Sequence, residues 1–100
     1  MTSDKYVLEG HEAVPCRDLL TWAREFEKAP RVALTQCGEA YVSTVFLGLD
    51  HQWGDGPPLL FETMVFGGPS NQRAERYSTW EEAEAGHAAM VARVKAEVQS

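Results

Sequence analysis

The sequence predicts a single α+β domain in which two helices pack on an antiparallel sheet. Two stretches, near residues 18–28 and 79–98, space their apolar side chains as helices do. Four stretches rich in β-branched and aromatic residues lie between them and are joined by short links, which favour antiparallel neighbours. With a short N-terminal hairpin, the predicted order over residues 1–100 is β-β-α-β-β-β-β-α, with the last four strands forming a meander.

The N-terminal third of the sequence predicts a short hairpin or a bent strand, followed by a helix. Residues 5–8 and 12–14 alternate around a turn at residues 9–11, where Gly10 supplies the bend. Pro15 ends this hairpin. Pro30 ends the helix that follows, whose apolar side chains recur at i, i+3, i+4 and i+7. These side chains are Leu19, Trp22, Ala23 and Phe26.

The four strands of the sheet are predicted over residues 32–36, 41–49, 59–66 and 73–77. The second (YVSTVFLGL) and third (LLFETMVF) are the strongest, because β-branched and aromatic residues dominate them. Turns are predicted at residues 37–39 and 67–71, where glycines cluster. The last strand is short and polar, as edge strands often are.

The C-terminal helix is predicted from a capping box. Ser78 or Thr79 is the N-cap, and an acidic residue follows three positions later in either frame. Gly86 costs about 1 kcal/mol relative to alanine inside a helix, so we expect another element to approach closely there. One apolar stripe follows the cap, formed by Trp80, Ala83, His87, Met90, Val91, Val94 and Val98.

The central hairpin predicts a sheet with two apolar faces. With its loop centred near Gly54, Phe46 lies opposite Glu62 and Thr44 lies opposite Met64. One face then holds Val42, Thr44, Phe46, Glu62, Met64 and Phe66. The other holds Tyr41, Ser43, Val45, Leu47, Leu49, Leu59, Phe61, Thr63 and Val65. The face that the helices leave open needs a cover: the N-terminal hairpin, one helix on each side, or a second chain, most simply a second copy in a homodimer.

The charge composition limits the classes of molecule that this protein is expected to bind. Nine basic and fifteen acidic residues give a net charge of −6, which argues against nucleic acid and suits a basic protein surface, such as one that normally holds nucleic acid. No signal peptide or membrane span is predicted, so the expected location is the cytoplasm. Cys16 and Cys37 are too few for a disulfide framework and are expected to be reduced and partly buried.

The sequence matches none of the common catalytic motifs. A metal-dependent hydrolase would have to use Asp50, His51, Glu62 and His87, whose spacing matches no metal motif. There is no nucleophile elbow and no phosphate-binding glycine loop. We therefore predict no catalytic residue, no metal and no cofactor. For Glu62 we favour a structural pairing with an arginine or a backbone group over a functional acid, and for His87 a hydrogen-bonded place in the core.

The loop DHQWGDGPP (residues 50–58) is the predicted contact surface, together with the open sheet face. Trp53 either folds back onto the core or stays exposed as a binding anchor, because tryptophan is enriched at binding hot spots. Asp50, His51 and Asp55 surround it and complete the predicted partner-binding set. The prolines at the end of this loop stiffen its return into the next strand.

Four stretches resemble a family of small uncharacterised proteins encoded by bacteriophages and prophages: DLLTWAREFE (18–27), VSTVFLGLDH (42–51), PPLLFETMVFGG (57–68) and RYSTWEEAEAGHAAMV (76–91). The resemblance implies a phage origin and a bacterial host cytoplasm, and it implies no activity. By analogy, the expected function is that of a non-enzymatic accessory protein that binds a host protein, with an anti-defence or host-takeover role. The alternatives are the small metal-dependent hydrolase and a minor virion structural or assembly protein.

Overall fold

Six strands and two helices follow one another in the predicted order, and the α+β prediction is confirmed. The structure is a computed structural model that describes residues 4–52 and 54–99. The first three elements are β1 (Tyr6–Glu9), β2 (Glu12–Pro15) and α1 (Leu19–Lys28). The sheet strands and last helix are β3 (Ala33–Cys37), β4 (Ala40–Phe46), β5 (Phe61–Phe66), β6 (Ala74–Tyr77) and α2 (Trp80–Gln99).

The N-terminal hairpin extends the core beneath α2. Strands β1 and β2 pair antiparallel around Gly10, whose φ of +63° suits the turn. Tyr6, Leu8 and Ala13 pack against a buried cluster that includes Phe46. The hairpin therefore lies on the same side of the sheet as α2. The buried members of that cluster are Phe46, Leu60, Phe61, Trp80 and Ala83.

Helix α1 begins at a side-chain cap and docks at the end of the sheet. The carboxylate of Asp18 accepts hydrogen bonds from the hydroxyl and the backbone N–H of Thr21, and these bonds lower the pKa of Asp18. The indole Nε1 of Trp22 donates to the carbonyl of Gly48 at 2.9 Å. No α1 residue is buried, so the helix flanks the sheet and does not cover a face.

Strand β4 ends three residues earlier than predicted because the backbone turns at Gly48. This glycine has a φ of +75°, and a Cβ on it would lie 2.7 Å from the ring of Phe26. Its carbonyl also accepts the backbone N–H of Tyr6 at 2.8 Å. After Phe46 the chain therefore leaves the sheet, and Gly48 contacts both the hairpin and α1.

The sheet is the predicted antiparallel meander, in the order β3-β4-β5-β6, but its central register differs from the prediction by one residue. Val45 lies opposite Glu62, and Phe46 lies opposite Phe61, so the predicted pairing of Phe46 with Glu62 was wrong. The backbone N–H of Leu47 donates to the carbonyl of Leu60 at 2.7 Å, which centres the connection just before Gly54.

This register changes the composition of both faces, because neighbouring side chains along a strand point to opposite sides. The face under α2 holds Val42, Thr44 and Phe46 from β4 and Phe61, Thr63 and Val65 from β5, all of them buried. Glu62, Met64 and Phe66 lie on the opposite face, and not with Val42 as predicted.

Helix α2 packs across all four strands of the sheet. The predicted capping box is confirmed: Thr79 Oγ1 accepts the backbone N–H of Glu82 at 3.1 Å, and Glu82 Oε1 accepts that of Thr79 at 3.1 Å. The stripe is confirmed along most of its length, and Val98 departs from it with 43% of its surface exposed. Its buried members are Trp80, Ala83, His87, Met90 and Val94.

Gly86 allows Tyr77 to lie directly against α2, as its place inside the helix predicted. A Cβ on Gly86 would lie 2.2 Å from the phenol oxygen of Tyr77. Burial raises the pKa of this phenol. The end of β6 is therefore packed on the helix at the one position where α2 has no side chain.

Gly86→Ala is expected to destabilise the fold by about 1 kcal/mol or more, because the new methyl group would overlap the ring of Tyr77. In an unobstructed helix the same change stabilises by about 1 kcal/mol. In a Tyr77→Ala background we therefore expect Gly86→Ala to be stabilising. Denaturant unfolding of the four proteins measures the coupling, and additive effects would contradict this packing.

Candidate functional site

The structure separates the residues from which a metal site would have to be built. Glu62 lies on the face away from α2, where its Oε2 accepts a hydrogen bond from Arg76 Nε at 3.0 Å. His87 projects from α2 onto the other face, so the sheet stands between the two. Among residues 4–52 and 54–99, no three His, Cys, Asp or Glu side chains are grouped closely enough to hold a metal ion. The predicted pairing of Glu62 with an arginine is confirmed.

His87 belongs to a buried polar chain between α2 and the sheet. Its Nε2 lies 2.8 Å from Thr35 Oγ1, and its Nδ1 lies 2.7 Å from Thr44 Oγ1. Thr44 Oγ1 in turn lies 2.5 Å from Thr63 Oγ1. Burial lowers the pKa of His87, which favours the neutral imidazole with one donor and one acceptor nitrogen. The predicted core role of His87 is confirmed.

The loop between β4 and β5 is organised by Asp50. Its Oδ1 accepts the backbone N–H of Gln52 at 2.8 Å and that of Leu59 at 3.0 Å, which joins the two ends of the loop. Asp50 and Asp55 are exposed, and His51 is half-buried. Trp53, the predicted anchor, lies outside the described residues. The role of these four residues in partner binding remains a prediction.

The sheet face turned away from α2 is called the open face. By strand register it holds Leu34, Gln36, Tyr41, Ser43, Val45, Glu62, Met64, Phe66, Ala74 and Arg76. Leu34 is 53% exposed, Tyr41 43% and Phe66 48%. Within the described chain, α1 borders this face where Phe26 and Val45 line the same cavity, and no element covers the rest.

The open face is nearly neutral although the chain is acidic. Glu62 and Arg76 are its only charged strand residues within the described chain, and they form an ion pair with each other. The net charge of −6 therefore arises from other parts of the surface. A sheet face that exposes large apolar side chains and carries little net charge is typical of a protein contact site.

A second concave surface lies between the hairpin and the start of α2. This cleft has a volume of about 510 Å³, and Glu9, Glu12 and Glu81 lie on its wall. His11 also lines it and stacks parallel to Trp80, with 3.9 Å between the ring centroids. The buried Nε1 of Trp80 has no acceptor among the described residues. The sequence did not predict this cleft, because its walls come from segments distant in the chain.

Comparison with known protein families, curated proteins and solved structures found no match for this chain. In the described part of the chain, neither helix is long and apolar enough to cross a membrane. The open face exposes the large apolar side chains of Leu34, Tyr41 and Phe66. The residue pattern could not predict which face of the sheet stays open, because β4 and β5 carry apolar residues on both sides.

Asp50→Ala is expected to lower the free energy of unfolding by about 1 kcal/mol, because two backbone N–H groups lose their acceptor. Asp55→Ala is the matched control in the same loop and should change it by less than about 0.5 kcal/mol. Thermal or denaturant unfolding measures both. Equal effects of the two substitutions would show that Asp50 does not organise the loop.

Protonation of His87 is expected to destabilise the fold in mild acid. In the folded state, the pKa of His87 is lower than the ordinary histidine value of 6.5. The unfolded chain thus binds the proton first, and stability is lost as the pH falls below about 6.5 towards the folded pKa.

Unfolding free energies measured from about pH 8 to about pH 5 check this, since that range spans the ordinary histidine pKa. His87→Gln should remove this acid-dependent loss, whereas His51→Gln should keep it, because the buried threonine contacts remain. The same pH dependence in both variants would contradict the assignment.

Proposed function

We propose that this protein is a non-enzymatic phage accessory protein that acts by binding other protein chains. The open face supports this function best, because Leu34, Tyr41 and Phe66 expose about half of their surfaces on one side of a single sheet. An antiparallel sheet that faces water usually carries polar side chains on that side. Large apolar side chains in this position favour a protein partner.

The proposed cellular target is a host protein in the bacterial cytoplasm. The resemblance to phage and prophage proteins supports this setting. The net charge of −6, which lies outside the open face, supports a target with basic groups around its apolar contact surface. A host defence protein that handles nucleic acid has such a surface. The acidic chain would oppose direct binding to nucleic acid, because like charges repel.

The metal-dependent hydrolase is less well supported. The sheet lies between Glu62 and His87, and each has another partner. Such an enzyme would be stabilised by its metal, since a ligand that binds only the folded state raises stability. Metal analysis of protein purified without a chelator, with thermal unfolding in Mg²⁺, Mn²⁺ and Zn²⁺, tests this alternative.

The minor virion protein is a third candidate, and the same apolar face would suit assembly. Proteomic analysis of purified particles separates it from the accessory role. Presence at a constant copy number in particles favours a structural protein. Absence from particles, combined with synthesis during infection, favours the accessory role.

Phe66→Glu is expected to abolish partner capture, because it places a charge in the apolar contact surface. The matched control is Ala89→Glu, which adds the same charge on the exposed side of α2, behind the sheet. Affinity purification from infected cells compares both variants with the wild-type chain. A partner captured by wild type and Ala89→Glu, but not by Phe66→Glu, is expected.

Circular dichroism and thermal unfolding confirm that both variants are folded before capture is compared. Equal capture by folded Phe66→Glu and Ala89→Glu would contradict a binding role for the open face. Equal loss in both would indicate a general effect of the added charge, and it would also contradict that role.

A further inference from the structure

We infer that the open face is the contact surface of a homodimer, in which it packs against the same face of a second copy. This inference rests on the proposed function, because it names the partner of the surface assigned to protein binding. Packing between two identical sheet faces buries the same side chains from both copies. Leu34, Tyr41 and Phe66 would then lose the exposure that they have in one chain.

The charge distribution favours a second copy over a charged partner. Two chains with a net charge of −6 repel each other unless they meet at a neutral surface. The open face is such a surface, since its one acid, Glu62, is already paired with its one base, Arg76, at 3.0 Å. Burying an existing ion pair costs less than burying a lone charge. A strongly basic partner would find little on this face to neutralise.

The area of the open face indicates the size class of the dimer contact, although area alone does not set affinity. Four strands spaced about 4.8 Å apart, each about six residues long at about 3.4 Å per residue, give a face of about 400 Å². Stable complexes bury about 800 Å² on each partner. The contact therefore belongs to the small, reversible class. We expect weak association, so monomer and dimer should exchange with concentration.

In the two-fold dimer, the surfaces on the α2 side of each sheet stay exposed and available for a further partner. Helix α2 lies on the opposite side of each sheet, so it points away from the contact. The cleft between the hairpin and the start of α2 also lies on that side, since the hairpin packs with Trp80. A host protein would therefore bind a symmetric acidic dimer at surfaces that are each present twice, so a substitution that breaks the dimer would also weaken capture.

Sedimentation velocity of the full chain, from about 1 µM to about 1 mM, tests the dimer over the range where a weak contact dissociates. Wild type and Ala89→Glu should show the same monomer–dimer equilibrium. Leu34→Glu and Phe66→Glu lie on different strands, and each should weaken dimerisation about 30-fold or more. Circular dichroism and thermal unfolding establish that every variant is folded.

The inference is overturned if the wild-type chain stays monomeric throughout this range. It is also overturned if the chain dimerises and at least one of Leu34→Glu and Phe66→Glu leaves the dimer unchanged. A monomeric chain whose host partner is still lost in Phe66→Glu overturns the homodimer and leaves the proposed function intact. A dimer lost in both variants supports the homodimer, whatever is found in the capture experiment.

Discussion

The structure depends on the register between the two central strands. Pairing Val45 with Glu62 places Val42, Thr44 and Phe46 on the same face as Phe61, Thr63 and Val65. Helix α2 packs on that face, and its stripe from Trp80 to Val94 completes the core. A shift of one residue that kept β4 in place would turn Phe61, Thr63 and Val65 outward and bury Glu62. The connection between the strands is therefore central to the fold, and Asp50 and the bend at Gly48 hold it in place.

The same register accounts for the polar groups inside the molecule. It sets Thr44 opposite Thr63, and His87 reaches both Thr44 and Thr35 from the helix above. A buried imidazole and three hydroxyls would be costly without partners, but here they satisfy one another. A polar chain of this kind favours one placement of the helix on the sheet, because sliding α2 by one turn would break it. Gly86 adds a second constraint through its contact with Tyr77.

Much of the fold was predictable, because it depends on local patterns. Helical spacing, the capping box at Thr79 and the glycine turns each act over a few residues, and each appears as predicted. The pairing of Glu62 and the core place of His87 were also predicted, because a lone polar group in an apolar segment needs a partner. The strand end at Phe46 was missed because it depends on Trp22, Phe26 and Tyr6, which contact Gly48 only after the chain has folded.

The sequence by itself determined the fold class, the order of the elements and the presence of apolar residues on both sides of the central hairpin. Only the tertiary structure decided which side α2 covers and which side stays open. The physical reason is that β4 and β5 are apolar on both sides, so alternation alone does not distinguish the inner face from the outer one. That choice comes from contacts between distant segments. Because of it, Leu34, Tyr41 and Phe66 form an exposed surface while Glu62 and His87 are kept apart.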